Sequence, residues 1–296
     1  MWWRSRGEIY LMKNNKDLQV KIYQKQNSTR LTTLFGDTIK DFFGSHFLAL
    51  QLAKRDISAQ YRQSYLGILW LFITPLATAG VWIFLNASGT IALTDTGIPY
   101  PVYAFSGTLI WSIIIEAINS PTAATNAARG IISKINFPKE ALILSGIYKL
   151  CFNSMVKIIL LLLFVFAFGV GFHWSLLLFP LTLLVAIIVG TAIGLLITPI
   201  GLLYSDVSRL LTMSLSLIMY ATPVVYVIPK SGILKTIMEI NPLTALVSTI
   251  RATLTGQEYE FLSYFMVLGS ISFVLFFVGL VIYRVSIPVI VERLSA

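Results

Sequence analysis

Charged side chains are scarce in this chain of 296 residues. They make up 12% of the sequence, against about 25% in ordinary soluble domains. No Asp, Glu, Lys or Arg occurs from Ile158 to Ser205. This composition excludes a typical soluble globular domain.

Residues that carry chemistry are also few. The single cysteine, Cys151, excludes an internal disulfide and a cysteine-rich metal site, and we predict no metal ligands. The 13 carboxylates are scattered without a D-x-D cluster, which argues against a membrane glycosyltransferase. No G-x-x-x-x-G-K-[ST] loop is present to bind the phosphates of ATP. We therefore do not expect an enzyme.

Long apolar runs are what the sequence does contain. Runs of about 20 residues are long enough to cross a bilayer core of about 30 Å. They do not alternate polar and apolar residues, which favours helices over a barrel. We predict an all-α integral membrane protein whose transmembrane domain covers residues 63–286, followed by a tail over 287–296. The six predicted spans are residues 65–87, 102–120, 150–170, 177–203, 210–228 and 261–283.

The net charge of +9 predicts orientation rather than a nucleic-acid partner, because Lys and Arg lie before or between apolar runs. They concentrate before the first span, between the second and third, and in the tail. The interpretation is a multi-pass membrane protein with both termini in the cytoplasm and no cleaved signal peptide. The connection after the fifth span, with Lys230 and Lys235, then lies outside against the charge bias.

Helical periodicity predicts an amphipathic helix over residues 43–62, lying on the inner membrane surface with its basic side chains toward lipid headgroups. An ordinary anchoring helix is the alternative. Residues 1–42 are predicted to be a cytoplasmic extension of unassigned role. The apolar positions of the helix are Phe43, Phe47, Leu50, Ile57 and Tyr61.

Four stretches carry a family resemblance. They are "KRDISAQYRQSYLGILWLFITPL" (54–76), "KINFPKEALILS" (134–145), "LLYSDVSRLL" (202–211) and "INPLTALVSTIR" (240–251). In this order they resemble ABC-2 type permeases of polysaccharide exporters. The resemblance covers about residues 43–284, although relatives more often have an Arg before Asp206.

The resemblance implies a six-helix half-transporter that forms a homodimer and pairs with two copies of a separate ATPase. ATP and Mg would bind to that partner, and this chain would hold no cofactor. The implied cargo is a lipid-linked glycan of the O-antigen, capsule or teichoic acid type. An ABC-2 exporter of drugs or small lipids is the alternative. A secondary transporter would need internal repeats and several ionisable groups at midplane, which the sequence lacks.

The resemblance further implies that the connection between the second and third spans forms a coupling helix over about residues 121–136. Ser120 and Pro121 have the pattern of a helix start. The alternative is a solvated loop. Together with the surface helix, this segment supplies the candidate residues for contact with the ATPase: Lys54, Arg55, Asp56, Tyr61, Arg62, Arg129 and Lys134.

Aromatic residues near the ends of the spans are candidates for a glycan pathway, because sugar C–H faces pack on aromatic rings. An aromatic belt facing lipid is the alternative for each of them. Glu116 lies well inside a span, where it is predicted to face the pathway or a polar neighbour, or to be a proton site. The aromatic candidates are Tyr103, Trp111, Tyr220, Tyr226 and Tyr264.

The segment 231–256 is predicted to form two short helices broken at Asn241 and Pro242, as a re-entrant hairpin beside an outer gate that includes Arg251. Pro75, Pro199 and Pro223 are predicted to kink spans. The run "GTAIG" (190–194) is predicted to allow close helix packing.

Overall fold

The computed structural model describes residues 31–62, 64–89, 96–132 and 134–295. Within these ranges the chain is helical and forms no strand, as predicted. The helices are α1 (Leu31–Gly44), α2 (His46–Arg62), α3 (Trp70–Ala87), α4 (Tyr100–Ala127), α5 (Arg129–Ile132), α6 (Glu140–Ala167), α7 (Phe179–Leu203), α8 (Ser205–Tyr220), α9 (Ile233–Ile240), α10 (Pro242–Thr255) and α11 (Leu262–Ser295).

Five stretches of the described chain are long and apolar enough to cross a membrane: Gly67–Ala87, Tyr100–Ala127, Glu140–Ala167, Trp174–Leu203 and Leu262–Arg293. The bent pair α9 and α10, which meet at 79°, makes a sixth if it is counted as one span. The predicted break at Asn241 and Pro242 is confirmed.

The predicted fifth span over residues 210–228 has the wrong bounds. Helix α8 starts five residues earlier, at Ser205, and ends at Tyr220, so it has 16 residues. Pro223 does not kink a helix, because it lies in the irregular segment 221–232 that follows α8. A residue before proline is pushed out of helical geometry, which accounts for the early end. Pro75 and Pro199 do lie inside helices.

Helix α4 is the centre of the bundle and packs against α3, α6, α7 and α10. Its approach to α7 depends on two glycines of the "GTAIG" run. A side chain on Gly190 would collide with Ala117, and one on Gly194 would collide with the backbone of Ile118. The predicted close packing is therefore confirmed.

The predicted helix start at Ser120 and Pro121 is wrong, because α4 continues through both residues to Ala127. Proline in a helix removes one backbone hydrogen bond. Pro121 lies close to α7, where a side chain added at Gly194 would crowd the proline ring, and Thr125 Oγ1 donates to the Pro121 carbonyl at 2.8 Å. Instead of one coupling helix over 121–136, the connection holds only the four-residue α5.

Helices α1 and α2 replace the single helix predicted over 43–62, with the boundary at Ser45. Ala49, Leu52 and Ala53 are buried on the face of α2 toward α6. Phe43 near the end of α1 and Phe47 near the start of α2 are exposed, as expected of apolar side chains on a membrane-surface segment. Residues 1–30 of the predicted extension lie outside the described residues.

The predicted separate tail over residues 287–296 is also wrong at its start. Helix α11 runs without a break to Ser295, and Ile287 and Ile290 are buried. Arg284 on α11 pairs with Asp41 of α1 at 3.0 Å and with Glu140 of α6 at 2.7 Å. These ion pairs tie α11 to α1 and α6 at the end of the bundle that contains α5, called here the α5 end. The opposite end, with α9, is the α9 end.

Candidate functional site

A polar cluster lies in the apolar interior between α2, α4 and α6. Glu116 of α4 pairs with Lys157 Nζ of α6 at 2.8 Å, and its other oxygen accepts from Asn153 Nδ2. Asn153 Oδ1 accepts in turn from Tyr61 OH of α2 at 3.2 Å. Ionised groups are expensive in such surroundings unless they are paired. The cluster therefore satisfies Glu116 and links the surface helix to the bundle.

Tyr61 stays a proton donor in this cluster. Burial, followed by the nearby carboxylate of Glu116, raises the pKa of Tyr61. The phenol is therefore neutral at physiological pH and donates to Asn153. Through this bond the C-terminal end of α2 is fixed directly to α6.

A groove of about 400 Å³ opens beside the Glu116–Lys157 pair. Hydroxyl groups of α3 and α4 and two indole rings line it. Trp111 is only 3% exposed, and its Nε1 has no hydrogen-bond partner among the described residues. The aromatic, hydroxyl and charged side chains of its lining include Trp70, Thr74, Thr78, Thr108, Trp111, Glu116 and Lys157.

A second polar network lies at the α9 end and is centred on Arg251 of α10, which is 3% exposed. Its Nη1 donates to the Pro223 carbonyl at 2.8 Å, its Nη2 to the Val224 carbonyl at 2.6 Å, and its Nε to Ser106 Oγ at 3.3 Å. The guanidinium also lies 3.7 Å from the centre of the Tyr103 ring. The planar guanidinium of Arg251 therefore donates hydrogen bonds to backbone carbonyls that lie outside the helices.

Other predicted aromatic residues donate to backbone carbonyls of the irregular segment 221–232 or of the ends of α8 and α9. Tyr103 OH donates to the Tyr226 carbonyl at 3.1 Å, and Tyr226 OH donates to the Tyr220 carbonyl. Tyr264 OH donates to the Ile240 carbonyl at 2.8 Å, at the end of α9. These phenols hold non-helical backbone in place, which is tolerated at membrane depth only where protein or water covers it.

Asn241 joins the helix break to this segment. Its Oδ1 accepts from the Leu243 amide at 3.0 Å, as a cap at the start of α10. Its Nδ2 donates to the Ala221 carbonyl at 2.9 Å and to Thr222 Oγ1 at 2.8 Å. Pro242 is the first residue of α10, where its missing amide costs nothing.

Gly107 of α4 makes the close approach of this segment possible. A side chain there would collide with the Val224 carbonyl and with Arg251. A cavity of about 690 Å³ lies beside the network, and its lining includes Tyr103, Arg251, Lys235, Glu239 and Glu258.

The connection at the α5 end is compact and exposed. Arg129 and Lys134 are exposed. Lys139 Nζ donates to the Ile132 carbonyl at 3.4 Å and to the Ile135 carbonyl at 3.3 Å. Burial lowers the pKa of Lys139, but these bonds still fasten the turn after α5. The result is a short, braced protrusion rather than a loose loop.

The sequence profile described as ABC-2 type transporter matches residues 48–255, which run from α2 to the end of α10. The chain belongs to the ABC-2 type transporter family.

Three curated relatives resemble most of this ABC-2 protein. An O-antigen export system permease protein RfbA of Myxococcus xanthus is 24% identical over 240 residues, covering 80% of this chain and 91% of the relative. Two proteins of the same name from Klebsiella pneumoniae are 25% and 23% identical, covering 80% and 82% of this chain and 91% and 90% of theirs.

The structure divides the predicted site residues of the ABC-2 protein among three places. Tyr61, Trp111 and Glu116 meet at the cluster and groove. The α9 end brings together Tyr103, Tyr220, Tyr226, Tyr264, Asn241, Pro242 and Arg251. The remaining candidates lie on the surface at or near the α5 end: Lys54, Arg55, Asp56, Arg62, Arg129 and Lys134.

Two ion pairs lie within the stretches that carry the family resemblance. Arg55 pairs with its neighbour Asp56 at 2.7 Å, so part of this motif is engaged within the chain. Asp206 and Arg209 are 4.0 Å apart and both highly exposed, so this pair contributes little. In the part of the chain described, no cluster of His, Cys, Asp and Glu is suited to hold a metal ion.

Sequence reasoning missed several residues of the two networks. Lys157 and Asn153 were absent from the prediction, although a lysine within an apolar run is a signal for a buried partner. Ser106 and Gly107 also escaped it, because serine and glycine are common in membrane helices and nothing in the sequence singles these two out. Tyr100, one of the aromatic residues gathered around the second predicted span, donates from its OH to the Val225 carbonyl at 3.1 Å.

Proposed function

We propose that this protein is the permease subunit of an ATP-driven exporter that moves a lipid-linked polysaccharide across the bacterial inner membrane. The observation that carries the proposal is the match to three relatives named for O-antigen export, each over about nine-tenths of its length. The family match supports the transport role. ATP and Mg would bind to a separate ATPase subunit.

The α5 end has the features expected of a surface that receives the ATPase. Arg129 and Lys134 project from the braced connection between α4 and α6. Helix α2 reaches the bundle through the Tyr61–Asn153 bond. Movement of a bound ATPase would therefore be passed to α4 and α6 as a shift of rigid elements.

Helix α8 supports a homodimer with a polar path. Ser208, Thr212, Ser216 and Tyr220 follow one another at intervals of four residues and so share one face of the helix. Thr212, Ser216 and Tyr220 are exposed. Polar groups in a bilayer normally face protein or water. A second copy of the chain facing this stripe would enclose a path for a hydroxyl-rich cargo.

The test is transport by the permease reconstituted with its ATPase in proteoliposomes that contain the lipid-linked glycan. The double variant Arg129→Glu, Lys134→Glu reverses both exposed charges. We expect this variant to reduce both glycan-stimulated ATP hydrolysis and export at least tenfold. Like charges facing each other across an interface cost several kcal/mol, and about 1.4 kcal/mol corresponds to a factor of ten.

The matched control is Arg129→Lys, Lys134→Arg, which keeps both charges and should retain most of the activity. Normal export by the charge-reversed variant would contradict the coupling role. The alternative cargo, a drug or small lipid, predicts ATPase stimulation by such compounds and none by the glycan. Hydrolysis of ATP by the purified permease alone would contradict the separate-ATPase arrangement.

A further inference from the structure

We propose that helix α11 is a connector that passes movement of the connection between α4 and α6 to the helix break at the α9 end. Tyr283 and Arg284 are its positioning residues at one end, and Tyr264 is its positioning residue at the other. The proposal rests on the proposed function, because that function supplies the ATPase whose movement is passed on. It adds a third moving helix to α4 and α6 and names the contacts that move it.

The first observation is that two neighbouring residues of α11 hold both sides of the connection between α4 and α6. Thr125 lies two residues before the end of α4, and its Oγ1 is 2.7 Å from Tyr283 OH. Glu140 is the first residue of α6, and it accepts from Arg284 Nη1 at 2.7 Å. Since α5 lies between these two points in the chain, a shift of the connection acts on α11 from both sides.

Both contacts are buried. Tyr283 is 0% exposed and Glu140 is 1% exposed. Thr125 Oγ1 already donates to the Pro121 carbonyl, so the phenol of Tyr283 donates to Thr125. The bond from Arg284 to Glu140 joins two charged groups, and such hydrogen bonds are stronger than neutral ones. Breaking either contact leaves a buried polar group without a partner, and the contacts therefore hold α11 firmly to α4 and α6.

The second observation concerns the other end of the same helix. Tyr264 OH donates to the carbonyl of Ile240, the last residue of α9, at 2.8 Å, and the break at Asn241 follows directly. From Tyr264 to Tyr283 the helix advances 19 residues, or about 30 Å. Pro288 lies beyond this stretch. One continuous helix therefore makes polar contacts at the α5 end and at the helix break of the α9 end.

A connector must also resist bending, and the packing of α11 on α7 provides this resistance. A side chain added at Gly269 would crowd Val185 of α7, and one added at Gly279 would crowd Leu195 of α7. The two helices therefore lie in close contact at two levels of the bundle. Closely packed helices shift as rigid units rather than deform continuously. A displacement at one end of α11 therefore reaches the other end.

The experiment measures hydrogen exchange over residues 233–240 in the complex of the full chain with its ATPase in lipid nanodiscs. Exchange without nucleotide is compared with exchange in the presence of a non-hydrolysable ATP analogue. The double variant Tyr283→Phe, Glu140→Leu removes both contacts with the connection. Arg284 keeps a partner in this variant, because it also pairs with Asp41 at 3.0 Å.

Three single variants complete the set. Tyr264→Phe removes the contact at the opposite end of α11. Glu140→Gln is the conservative variant, because its amide oxygen still accepts a hydrogen bond from Arg284. Tyr204→Phe is the matched control for the tyrosine changes, at an exposed residue outside α11.

We expect the ATP analogue to change the exchange rate of residues 233–240 by about fivefold or more in the wild type, as is typical of coupled sites. The double variant and Tyr264→Phe should reduce this response to less than about twofold. Glu140→Gln and Tyr204→Phe should retain most of it. Without nucleotide the double variant should exchange like the wild type over these residues, because its changes lie about 30 Å away.

A full nucleotide response in the double variant or in Tyr264→Phe would overturn the connector. Altered exchange of the double variant without nucleotide would also overturn it, because the contacts would then act only on the stability of the fold. Glycan export and ATP hydrolysis by the wild-type complex are measured separately. Export without a nucleotide response over residues 233–240 would refute the connector alone, and a response without export would refute the proposed function alone.

Discussion

Arg251 illustrates how a single residue stabilises an irregular segment within a membrane protein. In the described part of the chain no carboxylate lies within ion-pair distance of its guanidinium. Instead, two carbonyls, a serine hydroxyl and the Tyr103 ring surround it. A buried charge can be stabilised by oriented dipoles and an aromatic face when their geometry matches its donors.

The variant Arg251→Lys tests whether the planar guanidinium of Arg251 or only its positive charge stabilises the irregular segment. Lysine keeps the charge but does not reproduce three donors in one plane. We expect the free energy of unfolding to fall by about 1–3 kcal/mol, because a carbonyl of Pro223 or Val224 loses its donor. Chemical unfolding in detergent measures the change. Arg209→Lys, at an exposed residue, is the control and should have no effect; equal stabilities of both variants would contradict the proposed role of the guanidinium.

At the scale of elements, the break between α9 and α10 and the end of α8 depend on each other. Asn241 caps α10 with its carbonyl oxygen and holds residues 221 and 222 with its amide nitrogen. The irregular segment after α8 is therefore positioned by the helix pair that follows it. A movement of α9 and α10 would carry this segment with it, as an outer gate requires.

The variant Asn241→Asp separates the two roles of this side chain. A carboxylate still accepts from the Leu243 amide but does not donate to Ala221 and Thr222. Loss of two hydrogen bonds of about 1 kcal/mol each makes local opening about 30-fold more frequent. Hydrogen exchange over residues 221–228 should accelerate accordingly.

The control for this variant is Asn126→Asp, at an exposed position near the α5 end. It makes the same chemical change without touching the segment. If Asn241→Asp left exchange over 221–228 unchanged, the amide bonds would not hold the segment, and the link between the helix break and α8 would be wrong.

At the scale of the whole molecule, the two ends differ in their chemistry. The α5 end presents Arg129 and Lys134, while the α9 end carries Lys235 beside Glu239 and Glu258. Positive charge on short connections favours the cytoplasmic side. The α5 end is therefore predicted to face the ATPase and the α9 end the outside.

Cysteine labelling tests this orientation. In a Cys151→Ser background, an impermeant maleimide should label Ser231→Cys in intact cells, because this exposed residue lies at the α9 end. Gly130→Cys, exposed beside Arg129 and with open space around it, should react only after permeabilisation. The opposite pattern would invert the topology. Asp95, in the connection between the first and second predicted spans, lies outside the described residues.

Local sequence determined the helices and where several of them break. Apolar runs located the spans because the bilayer sets their length, and the predicted spans 65–87 and 177–203 agree with Gly67–Ala87 and Trp174–Leu203 to within three residues at both ends. Asn241 and Pro242 placed the break between α9 and α10 because both act on their own backbone. Glu116 and Lys157 were readable as charges that need partners, but not as partners of each other.

The tertiary structure decided the remaining features of the fold, because those features depend on contacts between distant parts of the chain. Pro121 looks like a helix start, yet packing against α7 at Gly194 carries α4 through it. Tyr103 and Arg251 are 148 positions apart in the sequence. They meet because Gly107 has no side chain, which leaves room for Arg251 and for the irregular segment 221–232 beside α4. Local propensity acts on neighbours in sequence, whereas these outcomes depend on which surfaces meet.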